Sequence, residues 1–296
     1  MSTKIYNVAD LFFKIVLPEG DTLAEKIQNY DPFIYNEKDK DGDDLLFSLE
    51  VIEKPLQVEE GTLVRHFDDD TAIIDVYIYE NGDYRFLIIS PEDGNQTTLY
   101  IDADIKKAKA YIEATLGEDR LFGFNNSIMM LYAFAGAIEK AVLMHASVIG
   151  NNNYGYLFLG KSGTGKSTHS RLWLENIDGS ELINDDNPVV RVKDNGEVWV
   201  YGSPWSGKTP CYRNVSAKVK AFVRIQQAPA TEIKEDSPVR AFASLLPSCS
   251  SMRWDSKRHG GICSTVSAII ESVKIYKLPC LPNKEAAELC HKTVSL

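Results

Sequence analysis

The chain has 296 residues, of which 44% are hydrophobic and 25% charged. This composition is close to that of an average globular protein and excludes disorder and collagen-like repetition. The net charge of −10 argues against general nucleic-acid binding. The apolar runs are too short for a membrane span, and the N-terminus lacks a basic segment followed by an apolar core, so we expect neither a membrane helix nor a secretory signal.

The charge is divided unevenly along the chain. Residues 1–120 contain 12 Lys/Arg and 27 Asp/Glu, whereas residues 121–296 contain 20 Lys/Arg and 15 Asp/Glu. The net charges of the two parts are therefore −15 and +5. We predict an acidic β-rich N-terminal domain (1–120) and a second, chemically different domain (121–296).

Most of the first 110 residues read as short strands separated by turns. The runs are rich in β-branched and aromatic residues, and Asn81-Gly82 is a strong hairpin turn signal. We expect a mostly antiparallel sheet with strands at 11–16, 45–51, 71–79, 84–90 and 97–101. The acidic runs Asp41/Asp43/Asp44 and Asp68/Asp69/Asp70 are expected in solvated loops. A calcium site is the alternative, although the ligand order of an EF-hand loop is missing.

The following segment alternates helix and strand signals. It predicts helices at 103–116, capped by Asp104, and at 125–143, capped by Asn125 or Asn126. Strands are predicted at 145–150 and 154–159, and a further helix at 166–175. The fold class is therefore a two-part α/β protein. Five cysteines, without a CxxC pair, favour buried thiols in a reduced cytoplasm over a disulfide framework or a zinc site.

Residues 160–167, GKSGTGKS, match the phosphate-loop (Walker A) pattern G-x-x-x-x-G-K-[ST] without a gap. Glycines let backbone N–H groups turn around phosphate oxygens, and the helix that follows presents its positive end to the same anion. Lys166 can reach the β- and γ-phosphates, and Ser167 can bind Mg²⁺. The alternative is a glycine-rich turn that binds nothing. The expected nucleotide-binding residues are Gly160, Ser162, Gly163, Thr164, Gly165, Lys166, Ser167 and Thr168.

Two adjacent carboxylates, Asp185 and Asp186, follow about 20 residues later at the end of an apolar run. One can hold Mg²⁺, directly or through water, and the other can take a proton from an attacking hydroxyl. Alone, the pair would be an ordinary acidic turn before Asn187-Pro188. His145 opens the strand expected beside the phosphate-loop strand. It is either a structural histidine or a neighbour of the phosphates and Asp185.

The order and spacing of three motifs resemble two related families. The motifs are MHAS (144–147), the phosphate loop with Thr168, and the aspartate pair. They are similar to the kinase domain of HPr kinase/phosphorylase and to the nucleotide core of ATP-dependent phosphoenolpyruvate carboxykinase. The resemblance covers residues 140–195 and extends to a closing strand and helix at 276–280 and 286–287. It implies a C-terminal carboxykinase-like phosphate-loop kinase core with a mixed sheet.

The resemblance implies roles for individual residues. The carboxykinase pattern makes His145 and Asp186 metal ligands, whereas the kinase pattern makes Asp185 the base with His145 beside it; both roles of His145 stay open. The chain is too short for a full carboxykinase, and residues 1–120 do not resemble the N-terminal domain of the kinase. The acceptor is therefore left unnamed.

Two further segments are candidates for function. Residues 202–214 could lie over the site, with Lys208 or Arg213 stabilising the transferred phosphoryl group; the alternative is a tight hairpin with solvated cations. Residues 252–261 could form a mobile lid or subunit contact; the alternative is a surface loop. His169 is expected to face solvent or to pack locally.

Together these features predict a kinase that uses ATP with Mg²⁺ or Mn²⁺ and phosphorylates a hydroxyl of a small molecule or a protein serine. The alternative is a non-catalytic nucleotide-binding regulatory or scaffold protein whose acidic part binds a partner. The sequence does not distinguish ATP, GTP and pyrophosphate as the phosphoryl donor. It also leaves the oligomeric state open, including a homo-oligomer. The expected catalytic residues are Asp185, His145, Lys166 and Arg213, and the expected metal ligands are Ser167, Asp186 and His145.

Overall fold

The computed structural model of the chain describes residues 1–36, 44–68, 72–92, 94–114, 118–207 and 209–296. The chain folds into two compact units, unit 1 (Met1–Ala135) and unit 2 (Gly136–Leu296). Among the described residues, no helix is both long and apolar enough to cross a membrane. The aspartates at 41, 43, 69 and 70, where a calcium site was an alternative, lie outside the described residues.

Unit 1 is built on one large sheet. Its described strands are β1 (Ser2–Val8), β2 (Leu11–Leu17), β3 (Ile34–Tyr35), β4 (Phe47–Ile52), β5 (Thr62–Asp68), β6 (Ile73–Ile78), β7 (Tyr84–Ile89), β8 (Gln96–Ile101) and β9 (Lys107–Ile112). The spatial order is β3-β1-β2-β4-β9-β8-β7-β6-β5. The helices are α1 (Leu23–Lys26), a 3-10 helix at Gln28–Phe33 and α2 (Glu118–Gly136).

The sheet of unit 1 is mostly antiparallel, as predicted; only the β2–β4 and β4–β9 pairs are parallel among the described strands. The expected hairpin is confirmed, with β6 and β7 paired from Ile78 and Tyr84 onwards. Gly82 has φ of 88° in the connecting turn, a conformation that glycine adopts without strain.

The prediction of a helix at 103–116 is wrong, because this segment contains β9. Lys107 and Lys109 face outwards while Ala108, Ala110 and Ile112 are buried. This alternation has the two-residue period of a strand, and it prevails over the helix preference of alanine and lysine because it places three apolar side chains in the core.

Helix α2 begins and ends seven residues before the prediction of 125–143, and 141–143 is a strand. Its aromatic side chains pack into the sheet of unit 1. Tyr132 lies edge-on to Phe13, with 6.0 Å between ring centroids, and its hydroxyl donates to the Val8 carbonyl. Phe124 packs edge-on to Tyr30. These contacts attach the helix to unit 1, so the boundary between the units lies at 135/136 where the charge pattern predicts 120/121.

Unit 2 contains a second mixed sheet. Its strands are β10 (Ala141–Leu143), β11 (Ala146–Asn151), β12 (Tyr154–Leu159), β13 (Glu181–Asp186), β14 (Val189–Val192), β15 (Val198–Tyr201), β16 (Ser216–Gln227), β17 (Lys234–Glu235) and β18 (Lys274–Cys280). The main order is β10-β14-β15-β16-β12-β11-β13, with β18 beside β16 and β17. The helices are α3 (Lys166–Asn176), α4 (Pro238–Leu245), a 3-10 helix at Leu246–Ser248, α5 (Ser256–Ser272) and α6 (Lys284–Val294).

Two apolar clusters hold the layers of unit 2 together. One contains residues of the sheet with buried side chains of α4 and α5, and the other contains residues of the sheet with Trp173 of α3 and Cys290 of α6. All five cysteines are free thiols, and four of them are buried, which agrees with the prediction of buried thiols.

The basic segment 252–261 is not a continuous loop, because α5 begins within it. Asp255 caps the helix by accepting from the Arg258 amide, and its carboxylate pairs with the Arg258 guanidinium at 2.8 Å. The Arg258 side chain is buried, and that of Asp255 is 11% exposed. Gly260 and Gly261 are helical, so the part of the proposed lid from residue 256 onwards is a packed element.

The two neighbouring glycines of α5 should respond oppositely to alanine. A Cβ at Gly260 meets nothing within 4 Å, so Gly260→Ala should raise the free energy of unfolding by about 0.5–1 kcal/mol. A Cβ at Gly261 would lie 2.4 Å from the Ala137 carbonyl oxygen, so Gly261→Ala should lower the free energy of unfolding by about 1–3 kcal/mol. Urea unfolding followed by tryptophan fluorescence measures both, and equal effects would contradict the helical packing.

His169 packs locally, the second of its two expected placements. Its side chain is buried, Nε2 accepts from Trp173 Nε1 at 3.1 Å, and the Phe158 ring lies edge-on to it. Burial lowers its pKa from 6.5 to about 4. Between these pH values the unfolded chain binds more protons than the folded one, so stability is lost as the pH falls below 6.5.

His169→Gln should therefore flatten the acid dependence of stability. Between pH 7 and pH 5 the wild type should lose about 2 kcal/mol more unfolding free energy than the variant, because glutamine does not titrate. Tryptophan fluorescence reports on unit 2 specifically, since Trp173, Trp199, Trp205 and Trp254 all belong to it. Parallel pH profiles for the two proteins would show that His169 is not buried as a neutral ring.

Candidate functional site

The glycine-rich loop connects the end of β12 to the start of α3, which is the predicted strand–loop–helix arrangement. Gly160, Gly163 and Gly165 have φ of 151°, 77° and 103°, values that L side chains rarely adopt. A Cβ at Gly160 would also lie 2.4 Å from Thr164 Oγ1. Because the loop requires these backbone conformations, glycine is needed at all three positions.

Lys166 is the central cation of the site. Its side chain is buried, and Nζ donates to the Gly160 carbonyl at 3.1 Å and contacts His145 Nε2 at 2.8 Å. Burial lowers the pKa of Lys166, while Asp186 and Asp185 oppose that shift. The ammonium group is therefore held inside the loop, where it faces the glycine backbone.

His145 joins Lys166 to Asp186. His145 Nδ1 lies 2.9 Å from Asp186 Oδ1. An ammonium group can only donate, so Nε2 accepts from Lys166 and the proton of the neutral ring is on Nδ1, from which it is donated to Asp186. The three side chains form one chain of hydrogen bonds, Lys166 to His145 to Asp186.

Sheet register explains why these residues meet. Strand β11 lies between β12 and β13, with Ala146 opposite Asp186 and Ser147 opposite Asp185. His145 comes directly before β11 and so reaches the end of β13. We predicted that the strand opened by His145 lies beside the strand that leads into the glycine-rich loop. The pairing of β11 with β12 confirms this prediction.

Asp185 contacts the first turn of α3. It is buried, and its Oδ1 accepts from Ser167 Oγ at 2.9 Å. A cleft of about 240 Å³ opens beside these two residues. The cleft is lined by residues of α3 and β13 and by Thr209; they are Ser167, Thr168, Ser170, Arg171, Leu174, Leu182, Asp185 and Thr209.

The backbone of Asp186 is strained, with φ of 131° at a non-glycine residue. A polar network surrounds it. Asn184 is fully buried, donates to Ser203 Oγ and to the Trp205 carbonyl, and accepts from the Asn187 amide. The Asn187 side chain donates to Asp186 Oδ2 at 2.8 Å. The surrounding structure thus holds the carboxylate in place despite the strain.

The segment after β15 also supports the aspartate pair. Ser206 Oγ and the Gly207 amide both donate to the Asp185 carbonyl, at 3.1 and 2.5 Å. A Cβ at Gly207 would lie 3.0 Å from the Asp186 Cβ. The sequence pattern predicts that this segment lies over the site, but it does not reveal that its backbone supports Asp185. The run Gly-Ser-Pro-Trp-Ser-Gly is the sequence signal that could have indicated this role.

Arg213 is not brought together with the other expected catalytic residues. Its guanidinium donates to Glu181 Oε2 at 2.7 Å and to the Leu182 carbonyl at 2.6 Å, at the opposite end of β13 from Asp186. Leu182 lies four residues before Asp186 in β13, so about 13 Å of strand separates their Cα atoms. Lys208, the other expected cation of this segment, lies outside the described residues.

The donors near the loop suit a magnesium ion that arrives with a nucleotide. In the described part of the chain, no group of three or more His, Cys, Asp and Glu side chains could hold a metal by itself. Ser167 and the two aspartates supply hard oxygen donors, which Mg²⁺ prefers, and Mg²⁺ is usually bound by one or two carboxylates together with substrate phosphates.

No protein-family model matches the chain, and no curated protein sequence matches it. Among solved structures, it is similar to the HPr(Ser) kinase/phosphatase from Coxiella burnetii. The sequence identity is 14% and the TM-score 0.31, over 52% of this chain and 88% of that chain.

Replacement of Asp186 tests the backbone strain. Asp186→Gly and Asp186→Ala both remove the carboxylate, but only glycine adopts φ of 131° without a steric penalty. We expect the glycine variant to be more stable by about 1 kcal/mol or more in urea unfolding. An alanine variant of equal or greater stability would contradict the strained backbone.

Proposed function

We propose that unit 2 is a kinase that uses ATP with Mg²⁺, or Mn²⁺ in its place, and phosphorylates a hydroxyl of a small molecule or a protein serine. The observation that carries the proposal is the contact chain Lys166–His145–Asp186 with the Ser167–Asp185 pair beside it. A phosphate-binding cation, a metal-binding hydroxyl and two carboxylates are the parts that phosphoryl transfer requires.

The loop and the first turn of α3 would bind the phosphates. Three glycines remove the side chains that would block backbone N–H groups, and the helix end favours an anion. Lys166 now donates to the Gly160 carbonyl and to His145, and it would exchange such partners for phosphate oxygens. An anion beside this buried ammonium would offset the desolvation that lowers its pKa.

The two carboxylates would divide the remaining work. The family resemblance implies that Asp186 holds the metal and Asp185 accepts the proton. The contacts favour the reverse, because Asp185 is buried against Ser167 whereas Asp186 is more exposed and hydrogen-bonded to His145. A bound Mg²⁺ would neutralise the developing charge on the β- and γ-phosphate oxygens.

In this allocation Asp186 is the general base. The acceptor oxygen forms a bond to the γ-phosphorus as the bond between that phosphorus and the β-phosphate oxygen breaks, and the hydroxyl proton moves to Asp186. His145, with its Nδ1 proton donated to Asp186 and Lys166 donating to Nε2, positions the carboxylate. Positioning and charge stabilisation supply most of the rate enhancement in this reaction class.

Nucleotide protection and turnover test the proposal together. MgATP should raise the melting temperature of the wild type and of Lys161→Ala, a matched loop lysine, but not of Lys166→Ala. Asp185→Asn should weaken the magnesium-dependent protection. Asp186→Asn should keep the protection and lose about 10²–10⁴-fold in ADP release with a panel of hydroxyl acceptors, the usual contribution of a general base.

Three other results would exclude or revise parts of the proposal. Full protection of Lys166→Ala would exclude the phosphate-loop assignment. The opposite behaviour of the two asparagine variants would restore the allocation implied by the resemblance. Protection of the wild type without ATP consumption by any acceptor would exclude the kinase and favour the nucleotide-binding regulatory alternative.

A further inference from the structure

Three parallel strands of unit 2 end at the same edge of its sheet. The β12–β16 and β16–β18 pairs are both parallel, so their carboxyl ends lie together, and the glycine-rich loop leaves β12 there. Ligands of open α/β sheets bind outside the carboxyl ends of the strands. The ends of β16 and β18 take no part in the nucleotide site described above, so the charges that they carry require a separate explanation.

Two cations lie side by side across these strands. Arg224 of β16 pairs with Leu159 of β12 on one side and with Lys277 of β18 on the other. Directly paired residues on neighbouring strands lie about 4.8 Å apart between Cα atoms. Leu159 immediately precedes the glycine-rich loop. Arg224 and Lys277, here called the cation pair, therefore lie one and two strands away from the start of the loop.

Both members of the cation pair are on one face of the sheet. Phe222 and Ile275 of the same two strands belong to the apolar cluster formed with α4 and α5. Arg224 and Lys277 each follow these residues by two positions, and side chains two positions apart in a strand point to the same face. Both cations are only partly buried. The cation pair therefore lies at the margin of the apolar cluster, where solvent reaches both side chains.

The cation pair has no anionic partner of its own in the described ranges. Neither side chain forms an ion pair or a hydrogen bond with another described residue. The Arg224 Nε is buried and lacks a hydrogen-bond partner there. Like charges directly opposite each other destabilise a sheet, and a buried donor without an acceptor costs free energy. An anion bound between Arg224 and Lys277 would remove both penalties.

The neighbouring charged groups do not neutralise the cation pair. Lys234 of β17 is opposite Lys277, but its ammonium group pairs with Glu232 at 2.9 Å. Asp236, directly after β17, forms no ion pair with either cation in the part of the chain that the structure describes. The cation pair thus keeps two positive charges. A phosphate group, with a charge of about −1.5 to −2 at pH 7, matches them, whereas a carboxylate matches only one.

We propose that the cation pair is a second anion site of unit 2, which binds a terminal phosphate group. The planar Arg224 guanidinium suits two phosphate oxygens at once, and the Lys277 ammonium supplies a point charge beside it. The phosphate belongs to the free ion or to a phosphate monoester of a small molecule. The site is separate from the glycine-rich loop, so this inference does not depend on the nucleotide chemistry of Lys166.

Calorimetric titration of the full-length protein with inorganic phosphate tests the site. Arg224→Gln combined with Lys277→Gln should weaken binding by about tenfold or more, since it removes both charged donors. Lys218→Gln combined with Lys220→Gln is the matched control, because it removes two positive charges from the first half of the same strand. The control should alter affinity by less than about twofold at physiological salt. Equal weakening by the two double variants would reduce the binding to general attraction and overturn the inference.

The Lys166→Ala variant separates the cation pair from the glycine-rich loop. It should keep phosphate binding at the cation pair, and adding Arg224→Gln and Lys277→Gln should then abolish the remaining binding. Loss of all phosphate binding in Lys166→Ala alone would assign the anion to the loop; this result would overturn the inference and leave the proposed nucleotide site intact. Absence of phosphate binding by the wild type would also overturn the inference.

Urea unfolding checks that the loss of binding is not a folding defect. Because the two cations repel each other in the free protein, the variant with Arg224→Gln and Lys277→Gln should be at least as stable as the wild type. Added phosphate should stabilise this variant less than it stabilises the wild type. A variant less stable than the wild type would show that the cations already have favourable contacts, and this would contradict the inference.

A comparison of three anions identifies the occupant, with Lys166→Ala as the protein so that only the cation pair is measured. Glycerol 3-phosphate bound at least about tenfold more tightly than inorganic phosphate would identify a phosphate monoester, whereas equal affinity would identify the free ion. Acetate should bind more weakly than either, because it carries a single charge. Acetate bound as tightly as phosphate would overturn the assignment of a phosphate site.

Discussion

The antiparallel pairing of β11 with β13 is the constraint on which the candidate site depends. It sets Ala146 opposite Asp186 and Ser147 opposite Asp185, at the end of the sheet where the glycine-rich loop leaves β12. A shift of one residue would turn every side chain of β13 to the other face of the sheet. The chain Lys166–His145–Asp186 and the Ser167–Asp185 contact exist only in the observed register, so the buried pairing of two strands determines which groups can act together.

The site keeps this geometry by burying polar groups that are hydrogen-bonded. Asn184 bridges the end of β13 to the following segment, and Gly207 lies so close to the aspartate pair that a Cβ there would be 3.0 Å from the Asp186 Cβ. Such a network is costly if one member is missing and rigid if all are present. It supports the unfavourable backbone of Asp186, and strain of this kind is concentrated at functional sites in proteins.

The uneven charge has a clearer physical meaning in the structure. Residues 121–135 contain no charged side chain. Moving the boundary from residue 120 to residue 135 therefore leaves the net charges of the two parts at −15 and +5. In unit 2, part of the positive charge is neutralised locally, since Arg213 pairs with Glu181 and Arg258 with Asp255. Lys166 is the cation held in the glycine loop. In unit 1, Glu59, Glu60 and Glu80 are exposed at the lining of a groove.

Features that depend on near neighbours in the chain can be predicted from the sequence. The loop at 160–167 requires glycine torsions and a following helix, and the turn at Gly82 joins two alternating runs; both are encoded within about ten residues. Tertiary contacts, by contrast, make 107–112 a strand, bury His169, pair Arg213 with the far end of β13 and place Asp185 rather than Asp186 against Ser167. These outcomes depend on packing and register between segments that are distant in the chain. There, small differences in burial outweigh the intrinsic preference of residues for helix or strand.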